Sequence, residues 1–394
     1  MIPADEDGVI AAIRDTCGPL AVQGAGSKLA MLRPVAGAPL STAHLTGISF
    51  YAPKELVLSA RAGTPVADLI AATAAQGQHI IAEPPDYRRL LANDSAGTIG
   101  GAVATNLSGP RRVAWGAMRD HVLGLRAVNG RGELIRAGGR VLKNVTGLDV
   151  CKLLSGSHGT LAVITEVTIK VLPKPERRAT LVLKGLAAPN AVAALSAALG
   201  SPYAVSAAAW LPGPLAARIP ALAWLGDGVT LARIEDFAPS VAYRSDRLRA
   251  DLAEFGAVEL LDDAASLAAW TDVGDVLPLA GVGDAVWRVS VRPSQGPGVL
   301  AAAQVAFGAA GFLDWGGGLV WLAGPATDAA HAAVEAAARA AGGVWTLMRA
   351  PDALRRAVAV VPPEPAPLAR IAADIKAAFD PRGLLNPGRL VAGL

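Results

Sequence analysis

Two short stretches carry residue types better suited to holding a polyanion than to breaking a bond. In Gly24-Ala25-Gly26-Ser27-Lys28 the glycines leave backbone N–H groups uncovered, Ser27 adds a hydroxyl donor and Lys28 a positive charge. Concave runs of N–H donors of this kind bind pyrophosphate oxygens. The same loop is also compatible with a plain turn. It has neither the Walker A spacing nor the Gly-x-Gly-x-x-Gly of the dinucleotide fold, which disfavours a conventional ATP or NAD site. The second stretch, Thr98 to Pro110, combines Gly100, Gly101 and Ala104 with Thr105, Asn106 and Ser108. Small residues interleaved with short polar ones suit a flat polar ligand lying against main chain, and equally a tightly packed helix start.

Candidates for bond-breaking chemistry are fewer. His44, His79, His121, His158 and His331 are scattered without metal-ligand spacing and read as surface or core-edge histidines. Cys17 and Cys151 are the only cysteines, too few for a disulfide framework or an iron-sulfur cluster built by this chain alone.

The elements that must position these residues follow from periodicity and punctuation. Residues 5 to 16 read as a helix and Leu20 to Gln23 as a strand running straight into the Gly24 loop. Glu55 to Arg61 reads as a strand, and Val66 to Gln76 as a helix capped by Thr64 with Pro65 at its first position. Val122 to Val128 and Glu133 to Ala137 form a hairpin around Asn129-Gly130-Arg131-Gly132, and Gly159 to Leu172 contains a strand rich in β-branched residues. Pro173 and Pro175 end it and mark a domain boundary. Beyond it, strands such as Ala179 to Leu183 and Ala285 to Val291 alternate with Ala-rich helices such as Ala329 to Ala341, as in an α+β lobe with an antiparallel sheet. A Pro-rich linker from Val361 to Pro367 leads to a helix from Leu368 to Phe379.

Composition narrows the class. With 394 residues, two lobes are the default, and 52% hydrophobic against 18% charged residues excludes a disordered chain. A net charge of +3 without a basic stripe argues against nucleic acid as a partner. The first fourteen residues carry Asp5, Glu6 and Asp7 and lack the pattern of a signal peptide, from which a cytoplasmic location is expected. The most apolar window, Val299 to Ala323, is broken by Gln304, Asp314 and three consecutive glycines; it reads as a core helix, a turn and a strand.

Read in order, the motifs resemble a known family. The Gly-Ser loop, Glu83-Pro84-Pro85, Thr98-Ile99-Gly100-Gly101, Lys143 to Gly147 and Gly159-Thr160-Leu161-Ala162-Val163-Ile164 are similar to the vanillyl-alcohol-oxidase type of FAD-binding domain. A finer likeness, to the E-subunit family of bacterial glycolate oxidases, rests on Leu107 to Arg112, Arg119 to Gly124 and the ending Phe379 to Arg389. It is dense over residues 20 to 175 and at the tail, and thin between.

The resemblance implies an α+β fold: an FAD-binding domain of two α/β subdomains over 1–175, a smaller α+β cap or substrate-type domain over 176–360, and a segment, 361–394, returning to the FAD domain. It implies non-covalent FAD, with Gly24, Ala25, Gly26, Ser27 and Lys28 around the pyrophosphate and Pro84 and Pro85 near the flavin. Thr98, Gly100, Gly101, Ala104, Thr105, Asn106 and Ser108 would lie along the cofactor, and Gly159, Thr160, Val163 and Ile164 at the adenosine half. Arg111 or Arg112 would supply positive charge near the pyrimidine end of the ring. The partners implied are a related catalytic FAD subunit and an iron-sulfur subunit, with contact to the inner face of the membrane only through that complex.

The chain departs from the family at Ala25 and Ala162, where glycine is usual, and at Leu148, where tyrosine is common. It also lacks the His-x-Gly-Asp-Gly-Asn and Glu-His-Gly sequences with which related 2-hydroxyacid dehydrogenases bind a metal and take the hydroxyl proton. An auxiliary electron-transfer subunit is therefore expected first. A stand-alone FAD-dependent oxidoreductase and a scaffolding subunit with a vestigial flavin site remain open.

Overall fold

The computed structural model describes residues 1–140 and 148–394, so Lys143 to Gly147 lie outside the described residues. The first helix, Glu6–Asp15, starts where Asp5 accepts a hydrogen bond from the Gly8 amide at 2.8 Å. Val9 and Ile13, one turn apart, bury one face against Leu20, Leu40, Val163, Leu384 and Leu385. Leu20–Gln23 pairs in parallel with Ala38–Ser41, and this small unit delivers the chain into the Gly24 loop.

Beside it stands a five-stranded antiparallel sheet in the order Ile48–Ala52, Val57–Arg61, Ala162–Lys170, Val122–Asn129, Leu134–Gly138. Its central strand, Ala162–Lys170, is the β-branched run of the sequence and is buried on both faces over most of its length. The Ile99–Thr105 helix packs against this sheet so closely that a Cβ on Gly100 would lie 2.6 Å from Ala62 Cβ. Glycine is therefore required there for packing.

Eight strands form the second sheet, in the order 258–261, 177–184, 229–236, 207–211, 310–314, 319–324, 285–290, 344–349, every pair antiparallel. The second lobe thus carries the larger sheet. Helices cover one face: Trp287 reaches His331 through Nε1 and packs on Phe307. By the two-residue alternation of a strand, Arg288 and its cross-strand partner Trp321 point the other way, and there Trp321 meets Tyr87 of the first lobe edge-on at 5.9 Å.

The tail returns to the first lobe. After the helix Ala366–Phe379, the Leu20 amide donates to Leu384 O at 2.7 Å, and the Asn386 amide to Leu20 O at 3.0 Å. Lys376 Nζ donates to Thr160 O at 2.7 Å, Leu385 O at 2.9 Å and Asp380 Oδ2 at 2.7 Å.

Two local expectations give way. Thr64 does not cap the Val66–Ala74 helix; its hydroxyl donates to Arg61 O at 2.7 Å and accepts from the Gly47 amide, tying the turn to the preceding strand. The apolar window after Val299 is a helix, Gly296–Phe307, followed by two strands rather than one, because Trp315, Gly316 and Gly317 all take positive φ and reverse the chain. Among the described residues no helix is long and apolar enough to cross a membrane.

Candidate functional site

A cavity of about 310 Å³ opens where the Gly24 loop, the Ile99–Thr105 helix and the central strand converge. Gly24 to Lys28 form one wall, Thr98, Gly100, Gly101, Ala104 and Thr105 a second, and Gly159, Val163 and Ile164 a third. Three stretches far apart in sequence are thereby brought together.

The loop is held by its own main chain. Ser41 Oγ donates to Gly24 O at 2.8 Å and Asn93 Nδ2 to Ser27 O at 2.8 Å. A Cβ on Gly24 would collide with Thr98 Oγ1, the hydroxyl that caps the next helix by accepting from the Gly101 amide at 3.2 Å. Gly26 sits at φ +81, which side chains rarely adopt. Gly24, Gly26, Gly100, Gly101 and Gly159 all line the cavity, which is thus bounded by backbone, as a ligand gripped by N–H groups requires.

Its charge is positive and unbalanced. Among the described residues Lys28 Nζ has one hydrogen-bonding partner, Ser27 Oγ at 3.3 Å, and burial, partly offset by the charge of Asp86, lowers its pKa to about 8. Arg389 is held by carbonyls, donating to Arg33 O and Lys28 O at 2.9 Å each; burial, then the nearby Arg355, lowers it to about 10. Arg355 donates to Leu29 O and Leu32 O at 3.0 Å and pairs with Asp352, yet its Nε is buried without a partner among the described residues. Burial, with Arg389 and Lys28 adding repulsion, drives His158 down to about 3, so it lines the cavity as a neutral ring.

The sequence reading assigned no role to Asp352, Arg355, Asn386, Arg389 or His158, all of which line the cavity. His158 is a cavity residue rather than a surface or core-edge one. Asn386, at φ +45, accepts from the Val22 amide at 2.7 Å and donates to His158 O at 2.7 Å, stitching tail to loop. The ending Leu385 to Arg389 was visible as a motif, but only the fold reveals that it closes a wall.

Other expected residues lie elsewhere. Pro84 and Pro85 follow Glu83 on the loop facing the second lobe, outside the cavity. Asn106 caps the helix end and accepts from the Arg119 amide at 2.9 Å, Ser108 accepts from the Met118 amide at 2.8 Å, and Thr160 donates to Ser157 O at 2.7 Å. Arg111 does not line this cavity, and its charge is matched within the protein: Nε and Nη2 donate to Glu235 at 2.9 and 2.7 Å, and Nη1 lies 3.0 Å from Glu83 Oε1. Arg112 stacks on Trp315 at 4.5 Å from the ring centroid, also outside the cavity.

Residues 1–138 match the family model described as "FAD binding domain". The fold compares with 4-ethylphenol oxidase from Gulosibacter chungangensis at a TM-score of 0.73, 13% identity, covering 100% of this chain and 89% of that one. It compares with alkyldihydroxyacetonephosphate synthase at 0.69, 15% identity, 98% and 76%. Fold and family model together show a fold of the vanillyl-alcohol-oxidase type whose first 138 residues match an FAD binding domain. In sequence the chain is 35% identical to glycolate oxidase subunit GlcE of Escherichia coli strain K12 over 379 residues, 95% of this chain and 93% of that one. It is 36% identical to glycolate oxidase subunit GlcD of Bacillus subtilis over 138 residues, 35% of this chain and 28% of that one. The chain belongs to the family of the glycolate oxidase subunit GlcE.

Proposed function

We propose that the chain is the FAD-holding subunit of a glycolate or other 2-hydroxyacid oxidase complex, working beside a related catalytic flavoprotein and an iron-sulfur subunit. The observation that carries the FAD site is the convergence of Lys28, Arg355 and Arg389 on a cavity bounded by Gly24, Gly26 and Gly101. In this reading the Gly24–Lys28 loop and Arg389 hold the diphosphate, Thr98 to Thr105 run along the cofactor, and Gly159 to Ile164 meet the adenosine half. FAD, when bound, accepts electrons as a pair and passes them on singly. The chain's own residues bind and orient it and exclude water. Domain limits at residues 175 and 360 belong to the same proposal.

The auxiliary role rests on the sequence, which lacks the His-x-Gly-Asp-Gly-Asn and Glu-His-Gly segments with which related 2-hydroxyacid dehydrogenases take the hydroxyl proton. General-base assistance is worth on the order of 10²- to 10⁴-fold, so a flavin without it oxidises a hydroxyacid slowly. Mixing the FAD-replete chain anaerobically with excess glycolate and D-lactate tests this. Flavin absorbance stays constant if the chain is auxiliary, whereas rapid bleaching would make it a complete oxidase. Acid precipitation tests attachment: FAD released to the supernatant fits non-covalent binding, and flavin kept in the pellet would contradict it.

A further inference from the structure

Two anchors of different kinds hold the C-terminal segment to the first lobe. The inner one is a matched set. Asp380, 2% exposed, accepts from the Leu384 and Leu385 amides at 3.1 and 2.7 Å, and Lys376 gives it a counter-charge at 2.7 Å. Leu385 then lies beside Leu20 as a parallel neighbour, and the Asn386 side chain takes up both the N–H and the carbonyl of Val22.

The outer anchor is Arg389, with Leu390 half-buried beside it. Arg389 is 9% exposed; besides its two bonds to Lys28 O and Arg33 O, its own carbonyl accepts from the Arg33 amide at 3.2 Å. Among the described residues no carboxylate pairs with it: Asp352 goes to Arg355, whose charge repels Arg389. Lys28 stands in the same cavity wall. Beyond Leu390 the hydrogen bonds among the described residues stay within the segment, Leu394 donating to Val391 O and accepting from the Gly388 amide, and residues 391–394 are exposed. The polar hold on this outer segment is thus a buried guanidinium set among like charges. Such an arrangement is costly until an anion lies between the cations.

We propose that residues 387–394 form a strap that a diphosphate in the Gly24 cavity latches: with the anion present Arg389 stays docked in the cavity wall, and without it the strap swings out to solvent. The inference rests on the reading of the cavity as the FAD site and deepens it. FAD is then latch as well as cofactor, and the C-terminal surface differs between loaded and unloaded chains. A ligand shifts such an equilibrium only by its differential affinity for the two states. Arg389 supplies that difference, because only the docked strap brings its charge to the phosphates.

Hydrogen-exchange mass spectrometry of the full chain decides it, without ligand, with saturating inorganic pyrophosphate and with saturating FAD, flavin content being read by absorbance in each sample. Both ligands should slow exchange in 387–394 by about tenfold or more, whereas Leu384 and Leu385, held by Asp380, should change less. In Arg389→Gln at saturating FAD, the 24–28 loop should stay protected while protection of 387–394 is lost. FAD bound with unchanged exchange at 387–394 would overturn the strap and leave the flavin reading standing, as would protection that survives in folded Arg389→Gln. Protection by pyrophosphate in a chain that takes up no FAD would sustain the strap and refute the flavin reading; protection by neither ligand would overturn the strap. Thermal melts verify folding, and if Arg389→Gln does not fold, the wild-type comparison carries the test.

Discussion

The Gly24 cavity and the seam between the lobes both remove positive charge from water, and they do so in opposite ways. At the seam, Arg233 is 1% exposed and donates to Glu83 at 3.0 and 3.2 Å, while Arg111 forks onto Glu235. Burial alone would push the Glu235 carboxyl up, but Arg233 and Arg111 hold it well below the ordinary carboxylate range. Every charge there has its opposite, so the cluster is complete and acts as a clamp between lobes. In the cavity, among the described residues, Lys28 and Arg389 hydrogen-bond only to hydroxyl or carbonyl oxygens, and both pKa values fall. Pairing marks structure, and the lack of it marks a place kept for an anion.

The clamp gives the largest expected effect on stability. Arg233→Met leaves Glu83 and Glu235 with one cation fewer, Arg111 and Arg178 remaining, so that the buried cluster carries an unmatched charge, and breaking such a network costs about 3–5 kcal/mol. Chemical denaturation should show that loss. A change within experimental error would mean that the seam opens to water.

Lys28→Met sharpens the cavity side. Removing a charge from the diphosphate region should weaken FAD by about tenfold or more, with little loss of stability, because among the described residues the buried cation pairs with no carboxylate that its loss would strand. The pH dependence has a definite sign. With the folded pKa near 8 and the unfolded value at 10.5, the unfolded chain binds more protons between those limits. The FAD-free protein therefore gains stability as pH rises across that window. Anionic phosphates favour charged Lys28, so FAD binding takes up a proton and affinity falls as pH climbs above 8. Dissociation constants at pH 7.5 and 9.5 should differ in the wild type and much less in Lys28→Met.

Asn386→Ala probes the tail. It leaves the Val22 amide without its acceptor and His158 O without its donor, at a cost of about 1–3 kcal/mol, with weaker FAD binding as a consequence. The smallest effect belongs to the surface pair Arg339–Glu335, where Arg339→Ala should cost about 0.5 kcal/mol or less.

Local signals in the sequence reached far into the first lobe. Leu20 to Gln23 was read as a strand and is one, since an apolar run stopped by glycine leaves little choice. The Gly24 loop, Thr98 to Thr105 and Gly159 to Ile164 fall around one cavity because their small residues record backbone approach. Arg355 and Arg389 were not legible as wall residues: each is a single charged residue whose role depends on contacts across more than 320 positions. The pairing of Arg111 is hidden from the sequence for a related reason. Sequence shows a charge, whereas the carboxylate that cancels it stands on Glu235, 124 residues away.

The central claim is that the backbone-lined cavity is where FAD binds, and Gly26→Asp tests it most directly. The substitution puts a side chain at φ +81 and a carboxylate where the diphosphate is expected, while leaving the seam untouched. Flavin absorbance against protein concentration should give one FAD per wild-type chain and less than about a tenth of that in the folded variant. Full FAD occupancy in folded Gly26→Asp would contradict the account.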